Sequence, residues 1–345
     1  MSRATPAERA RAAALVSELA AGPAADDPAR GRAAELLAAA GWRTQADAAG
    51  NLIARRPGAG PSKLLLAAPG PGDNAGPLAD AARRAALAAL AVAAERPEHP
   101  VSVEILLLGR SRDALTGARG LDVSALESPV AFLFGHPGPI GGLVVAAPGA
   151  WRFAAELRAH HGDRDGTGAA IVAAAKAVAA LPHGRLDEET VVTLDALAAE
   201  GADGRACRFA GEVRALEDER AEAVAQQVVD AVHDAANDPA SECDADIAVE
   251  AVHRAYRRRR GARAPALAAR ALQVSGFAPR EIVGERATDA NALNAAGLDC
   301  ACLTHGLSRD GIDPDAEADA ERDAQVAVEG LLEVTLALLD AATEG

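Results

Sequence analysis

The stretch KLLLAAPGPGDN, residues 63–74, predicts a buried strand that ends abruptly in a loop. Lys63 is followed by five apolar residues with no polar residue between them, which is typical of a strand covered on both faces of a sheet. Proline and glycine then alternate from Pro69 to Gly72 and exclude both strand and helix. The sequence therefore predicts a central strand whose carboxyl end opens into a loop at Pro69.

Helices and further strands alternate on both sides of this stretch. An alanine-rich helix is predicted over 78–94, and apolar strands are predicted over 101–108, 131–134 and 143–147. Such alternation is typical of an α/β fold with a largely parallel sheet. Between residues 150 and 258 the strands instead alternate apolar and polar residues, and the order becomes strand–helix–strand–strand–helix–strand. We therefore predict an α/β domain with an inserted α+β unit.

Composition excludes several classes of protein. The chain has 345 residues, 35 Lys and Arg against 50 Asp and Glu, and a formal net charge of −15. This acidity argues against nucleic acid or an anionic membrane as the main partner. We expect no membrane span and no signal peptide, because no apolar stretch is long enough. Four cysteines are too few for a disulfide framework, so we expect a cytoplasmic protein. Because aromatic residues are scarce, we expect a core of Ala, Leu and Val.

Six local strings occur in one order over nearly the whole chain. They are DAAGNLIA at 47–54, GARGLD at 117–122, GPIG at 138–141, GRLDEET at 184–190, GEVR at 211–214, and TDAN at 288–291 followed by Gly297-Leu298. In this order they resemble the zinc-dependent peptidase T-like and aminoacylase-like metallopeptidases. The resemblance implies a phosphorylase/hydrolase-like mixed sheet flanked by helices, over 1–149 and 259–345. It assigns 150–258 to an inserted ferredoxin-like α+β lid and dimerisation domain.

The resemblance also implies two zinc ions, held by two His, two or three carboxylates and a bridging Asp, with a separate Glu as the base. Two neighbouring dications need such anionic or imidazole ligands. The matching positions in this chain are Pro69 and Pro71 for the first His-x-Asp motif, Asp80 (or Asp73) for the bridging Asp, Ser111 and Arg112 for the base and ligand Glu pair, Phe134 for an Asp, and Gly311 for the last His. Because most of these side chains cannot bind zinc, we expect no metal cofactor.

Residues near the lost positions leave alternatives open. His136 lies two residues after Phe134, and His305 lies six residues before Gly311. One alternative is therefore a single metal held by Asp80, His136 or His305. The other is a two-zinc site whose ligands lie at shifted positions. Cys300 and Cys302 with His305 have a loose metal-ligand spacing, but their apolar flanks favour buried core cysteines.

Three further features have a functional and a simpler interpretation. His160 begins a match to the His-x-Gly string of the lid, which the resemblance implies contacts the substrate of a dimer partner; an exposed His pair is the alternative. Asp289 and Asn291 match a loop that lines the cleft, although both residue types favour capping of the next helix, which we prefer. The basic run of Arg254 and 257–260 favours a solvated linker over an anion site.

We therefore predict a non-catalytic homologue of a metal-dependent peptidase or amidohydrolase. It would form a homodimer and bind a peptide-like small molecule or a protein partner, such as an active paralogue. One alternative is an active hydrolase of peptide or N-acyl amino-acid amides with a rebuilt or single-metal site, using Asp80, Ser111, Arg112, His136 and Asp289. The other is a structural dimerisation partner of an active paralogue.

Overall fold

The computed structural model of the chain describes residues 3–20, 27–71, 76–110, 115–160, 168–200, 205–259, 261–307 and 317–343. The chain divides into two compact units. The larger consists of Met1–Ala146, Arg258–Gly284 and Thr288–Gly345, and the smaller of Ala147–Arg257 with Glu285–Ala287. The assignment of 1–149 and 259–345 to a catalytic-type domain, and of 150–258 to a dimerisation domain, stays a prediction.

The helices and strands follow the predicted order. The helices are α1 Pro6–Ala20, α2 Pro28–Ala39, α3 Pro77–Glu95, α4 Thr116–Arg119, α5 Ala169–Ala180, α6 Asp218–Ala236, α7 Arg263–Val274, α8 Asp289–Ala295 and α9 Glu317–Ala341. The strands are β1 Arg43–Ala46, β2 Leu52–Arg56, β3 Lys63–Ala68, β4 Ser102–Leu107, β5 Val130–His136, β6 Gly142–Ala147, β7 Gly149–Arg158, β8 Gly184–Arg185, β9 Thr190–Glu200, β10 Ala206–Ala215, β11 Asp244–His253, β12 Tyr256–Arg257, β13 Arg280–Val283 and β14 Asp299–Thr304.

The sheet of the larger unit is mixed, as predicted. Its strands lie in the order β1-β2-β4-β3-β5-β14-β6, and β13 pairs with β6. Strand β3 runs parallel to both β4 and β5, and β14 runs parallel to β5. Strands β1 and β2 are antiparallel at one edge. Because Leu64 to Ala68 are all buried, β3 is covered on both faces, which explains its uninterrupted apolar sequence.

Alanine and leucine form the core of the larger unit. Helix α3 has every residue from Ala81 to Ala94 buried, and it packs against α1, α9 and β3. Small alanine side chains let α3 lie close to its neighbours, while Phe132 and Phe134 are among the few rings buried in this core. The prediction of a core of Ala, Leu and Val with few rings is confirmed.

The smaller unit has the predicted ferredoxin-like topology. Its antiparallel strands lie in the order β11-β7-β10-β9-β8. Numbered along the chain, the four long strands therefore lie in the order 4-1-3-2, with α5 and α6 connecting them. Phe153 and Phe209 face each other across β7 and β10 at a centroid distance of 6.5 Å, against buried alanines and valines of both helices.

In the part of the chain that the structure describes, no helix combines the length and apolarity needed to cross a membrane.

Asn51 joins three segments of the larger unit. Its Nδ2 donates to Asp47 Oδ2 (2.8 Å) and to the Gly117 carbonyl (2.9 Å), and its Oδ1 accepts from the Gly109 N–H (2.8 Å). The side chain is fully buried. The asparagine of the DAAGNLIA string thus connects the start of β2, the loop after β4 and α4.

We expect Asn51→Ala to lower the free energy of unfolding by about 2–4 kcal/mol, because a buried N–H and a buried carbonyl lose their partners. Urea denaturation followed by circular dichroism measures this change. Asn237→Ala, at an exposed position at the end of α6, is the matched control and should change the unfolding free energy by less than about 0.5 kcal/mol. Equal effects of the two substitutions would contradict the structural role of Asn51.

Candidate functional site

The carboxyl ends of four strands meet at one edge of the larger sheet. Strands β3, β4, β5 and β14 are parallel, so the residues that follow them lie at the same edge. Ligands of open α/β sheets bind outside this edge. Pro69 follows β3, His136 ends β5 and His305 follows β14. The fold therefore brings several of the predicted site positions to one edge.

At the end of β3, where the family resemblance implies a His ligand, a buried arginine contacts the backbone. The Nε of Arg83, on α3, donates to the Pro69 carbonyl at 3.1 Å, and its Nη2 lies 2.5 Å from Asp27 Oδ2. Both the Arg83 and the Asp27 side chains are 5% exposed. Where the family resemblance requires an imidazole, the chain thus places a proline beside a guanidinium whose counterion is already present.

Asp80, the match to the bridging Asp of the family, is paired with an arginine. It lies in the first turn of α3, its side chain is about half exposed, and its Oδ2 accepts from Arg84 Nε at 3.0 Å. The Arg84 side chain is 4% exposed and also donates to the Val16 carbonyl. The one retained carboxylate is therefore held by a cation of its own helix.

Phe134 and the remaining lost positions give no ligand. Phe134 is 1% exposed and belongs to the apolar core of the larger unit. Asp73, Ser111, Arg112 and Gly311 lie outside the described residues, so their predicted positions stay predictions.

His136 and His305 are neighbours at the sheet edge. The His305 N–H donates to the His136 carbonyl at 3.0 Å. His305 Nδ1 accepts from the Leu307 N–H at 3.3 Å, so a neutral His305 carries its proton on Nε2. Burial, together with the nearby His136, lowers the pKa of His305 to about 4, which keeps the ring neutral at physiological pH. His136 Nδ1 lies 2.6 Å from the Pro137 carbonyl, so its proton is on Nδ1.

Asp289 and Asn291 differ in role. Asn291 Oδ1 accepts from the Thr288 N–H at 3.1 Å, and Thr288 is the residue that caps α8. Asp289 lies one position inside the helix and is buried, and its Oδ1 has no hydrogen-bond partner. Burial raises the pKa of Asp289 to about 6, although the Gly70 N–H donates to it. The capping interpretation holds for Asn291, whereas Asp289 is a buried carboxyl beside the Pro69 loop, and the sequence alone did not indicate this burial.

The two cysteines of β14 are core residues, as favoured from the sequence. None of the four cysteines forms a disulfide. Burial raises the pKa of the Cys302 thiol to about 12 and that of Cys300 well above its usual value. Nucleophilic attack needs the thiolate, which is negligible here at neutral pH.

His160 lies in the smaller unit, after β7. Its ring is about half exposed, and its Nδ1 lies 3.5 Å from Asp244 Oδ1. This arrangement is that of an exposed histidine beside an acidic residue. Its role toward a dimer partner stays a prediction.

The described residues do not fit a pair of zinc ions. Among the residues that the structure describes, no group of three or more His, Cys, Asp or Glu side chains is arranged to hold a metal. The three candidates for a single-metal site, Asp80, His136 and His305, do not form such a group. The guanidinium beside Pro69 has no lone pair to offer a metal, and the nearby Asp27 carboxylate is already engaged with it.

Sequence reasoning missed Arg83 and its partner Asp27. Two adjacent arginines, Arg83 and Arg84, interrupt an otherwise alanine-rich helix. Asp80 lies four residues before Arg84 and pairs with it, so Arg83 needs another partner. A cation inside an apolar helix needs a buried counterion. That requirement was the available signal, but the sequence does not show that the counterion is Asp27 of a distant segment.

Comparison with known structures identifies the fold. A tripeptidase from Staphylococcus aureus superposes with a TM-score of 0.83, at 17% identity, over 98% of this chain and 99% of that one. Aminopeptidase PepT from Bacillus cereus gives a TM-score of 0.72 at 20% identity, over 95% and 99% of the two chains. YxeP from Bacillus subtilis, a dinuclear metal-binding peptidase of the M20 family, gives 0.70 at 15% identity, over 98% and 100%. The predicted resemblance is confirmed for the fold.

Sequence comparison adds less. The protein YqjE of Bacillus subtilis, which is uncharacterised, is 26% identical over 222 residues. The match covers 62% of this chain and spans 59% of the length of YqjE. No family model matches the sequence. The chain thus has the fold of metal-dependent peptidases and amidohydrolases, together with a strand edge whose described residues do not fit their metals.

We expect Asp289→Asn to stabilise the protein at pH 7.5 by up to about 3 kcal/mol, the equivalent of about two pKa units. The folded-state pKa is raised from 3.8 to about 6. The folded wild type therefore holds more protons than the unfolded chain between these values, and its stability falls as pH rises through this window. The difference between variant and wild type should largely disappear at about pH 4, because both then carry a neutral side chain.

Urea titrations at pH 4 and pH 7.5 measure this difference. Asp319→Asn, which removes an exposed carboxylate paired with Arg322, is the control and should shift stability by less than about 1 kcal/mol. A stability difference for Asp289→Asn that does not change with pH would show that its carboxyl is not shifted by burial.

Proposed function

We propose that this chain is a non-catalytic relative of the metal-dependent peptidases and amidohydrolases, and that it binds a peptide-like ligand or a protein partner. The observation that carries the proposal is the buried guanidinium of Arg83 on the Pro69 carbonyl, at the carboxyl end of β3. The family resemblance assigns the first metal ligand to this position, where the chain has no imidazole and instead has a cation with its own counterion.

Electrostatics support loss of the metals rather than a weakened site. Two dications need several anionic ligands to offset their mutual repulsion. Asp80 is paired with Arg84, and Ser111 and Arg112 replace the two carboxylates that the resemblance requires at the base and ligand positions. Without bound metal, no water of lowered pKa is available to attack an amide.

An active hydrolase with a rebuilt site has one observation in its favour. Asp289 has a pKa raised to about 6 and an unpartnered oxygen, and such groups are concentrated at catalytic sites. The paired state of Asp80 reduces the support for this alternative, because the rebuilt site would need it. The same experiment distinguishes the two functions.

We expect protein purified without chelators to contain less than about 0.1 zinc per chain, because the side chains of Pro69 and Phe134 offer no ligand atom and Asp80 is already paired with Arg84. Inductively coupled plasma mass spectrometry measures the metal content. We also expect no hydrolysis of dipeptide, tripeptide or N-acyl amino-acid panels with added Zn²⁺, Co²⁺ or Mn²⁺, measured by chromatography of the products. A dizinc peptidase assayed in parallel is the positive control.

Turnover with stoichiometric metal would overturn the proposal in favour of a metallohydrolase. Turnover without bound metal would favour the rebuilt site, and Asp289→Asn would then abolish the activity.

We further propose that the smaller unit forms a homodimer. Two exposed leucines of β9, Leu194 and Leu197 (57% exposed), are accompanied in the same unit by Ile171 and Val172 of α5, which are 42% and 46% exposed. Strand β8 pairs with β9 only at Val191 and Val192. Over the described residues, the rest of that β9 edge has no strand partner. An open apolar edge is suited to pairing with a second copy around a two-fold axis.

We expect the wild type to be dimeric at micromolar concentration and Leu197→Glu to be monomeric, because a charge at the strand edge opposes pairing. Size-exclusion chromatography with light scattering measures the mass. Val326→Glu changes a 72% exposed valine of α9 in the larger unit, and this control should remain dimeric. A monomeric wild type would contradict the homodimer proposal. It would not affect the proposal that the chain is non-catalytic and binds no zinc.

A cytoplasmic location is part of the proposal. It is supported by the four cysteines, none of which forms a disulfide, since thiols remain reduced in that compartment.

A further inference from the structure

Two arginines of the larger unit project positive charge without a partner. Arg259 and Arg280 are exposed, and within the described residues neither guanidinium has a hydrogen bond or ion pair. Their neighbour Arg258 is paired, with its Nη1 lying 2.5 Å from Glu281 Oε1. The chain as a whole has a net charge of −15, so these two arginines lie in an acidic background.

Both arginines line one groove. The groove has a volume of about 620 Å³ and contains three arginines and one glutamate, so its charge is positive while that of the chain is negative. Its other lining residues are mainly apolar. They include Leu143, Pro265, Ala266, Ala269 and Pro279. The volume lies within the range of about 300–1,000 Å³ that is typical of ligand pockets.

Backbone hydrogen bonds hold the walls of this groove. The Arg258 N–H donates to the Val145 carbonyl at 2.7 Å, and the Arg280 N–H donates to the Gly141 carbonyl at 2.8 Å. Gly261, with a φ of +74°, provides the turn that separates Arg259 from α7. The two guanidinium groups are therefore carried by segments fixed to β6 or its preceding turn, which lowers the entropic cost of binding.

The adjacent helix end is not available to a phosphate. The N–H groups of Arg263 and Ala264 at the start of α7 donate to Asp299 Oδ2 at 2.6 and 3.0 Å. These are the groups that would otherwise bind an anion at a helix N-terminus, and the Asp299 carboxylate repels a second anion there. The groove thus offers two separate guanidinium groups and an apolar floor, which matches spaced carboxylates on an aliphatic chain.

We propose that this groove binds an acidic peptide segment of a protein partner, with Arg259 and Arg280 each taking a carboxylate and the Ala/Pro/Leu floor contacting the apolar side chains between them. Guanidinium forks recognise carboxylates bidentately. The site is formed by the larger unit alone and is independent of both the strand edge with Pro69 and the β9 edge. It gives the basic run of the sequence a binding role.

Fluorescence anisotropy with a labelled peptide tests the proposal. The probe is a peptide of about ten residues that alternates glutamate with leucine or alanine, and its counterpart carries glutamine at every glutamate. We expect the glutamate peptide to bind at least about tenfold more tightly than the glutamine peptide at low salt, with affinity falling as salt rises. Arg259→Glu with Arg280→Glu should lower the affinity about tenfold or more, because two attractions become repulsions.

Arg43→Glu is the control, since it makes the same charge change as either groove substitution alone, at an exposed arginine of β1 outside the groove. This variant should bind the glutamate peptide within about twofold of the wild type. An equal loss in Arg43→Glu and in the groove variant would show a general charge effect and overturn the proposal. Equal binding of the two peptides would also overturn it, as would complete competition by millimolar inorganic phosphate at constant ionic strength.

Discussion

The hydrogen bond from the buried Arg83 guanidinium to the Pro69 carbonyl fixes a cation at the carboxyl end of β3. A guanidinium in an apolar helix is tolerated only when its charge is balanced and its donors are used. Asp27 supplies the balance and Pro69 accepts one donor. Because Arg83 extends from α3 to the end of β3, a metal ligand at that position would have to share its surroundings with a fixed cation.

The overall acidity of the chain does not help such a site. Carboxylates outnumber basic groups, yet the described acids nearest the strand edge are either paired, as Asp80 is with Arg84, or buried and partly protonated near pH 6, as Asp289 is. Local arrangement therefore decides metal binding, since the interaction between charges weakens with distance and with exposure to solvent. The same reasoning applies in reverse to Arg259 and Arg280, which make a basic groove on an acidic molecule.

The fold persists because its requirements differ from those of catalysis. The central position of β3, paired with β4 and β5, depends on apolar residues on both faces of the strand. The hydrogen bonds of Asn51 depend on a buried amide side chain in one turn. Neither needs a metal ligand. A chain can thus superpose on peptidases over nearly its whole length, at 20% identity or less, while two positions that the family resemblance assigns to metal ligands hold proline and phenylalanine.

The sequence by itself determined the order of strands and helices and an α/β domain with an inserted α+β unit, because hydrophobic periodicity and turn residues are local properties. The mixed sheet and the ferredoxin-like topology of the insertion were implied by the family resemblance. It also determined that Pro69 and Phe134 cannot bind zinc, since that depends on residue type alone. Only the tertiary structure decided that Arg83 lies on Pro69, that Thr288 rather than Asp289 caps α8, and that Arg280 and Arg259 share a groove. These facts depend on contacts between residues far apart in the chain, and side-chain partners at such distances are chosen by packing and burial, which no local pattern records.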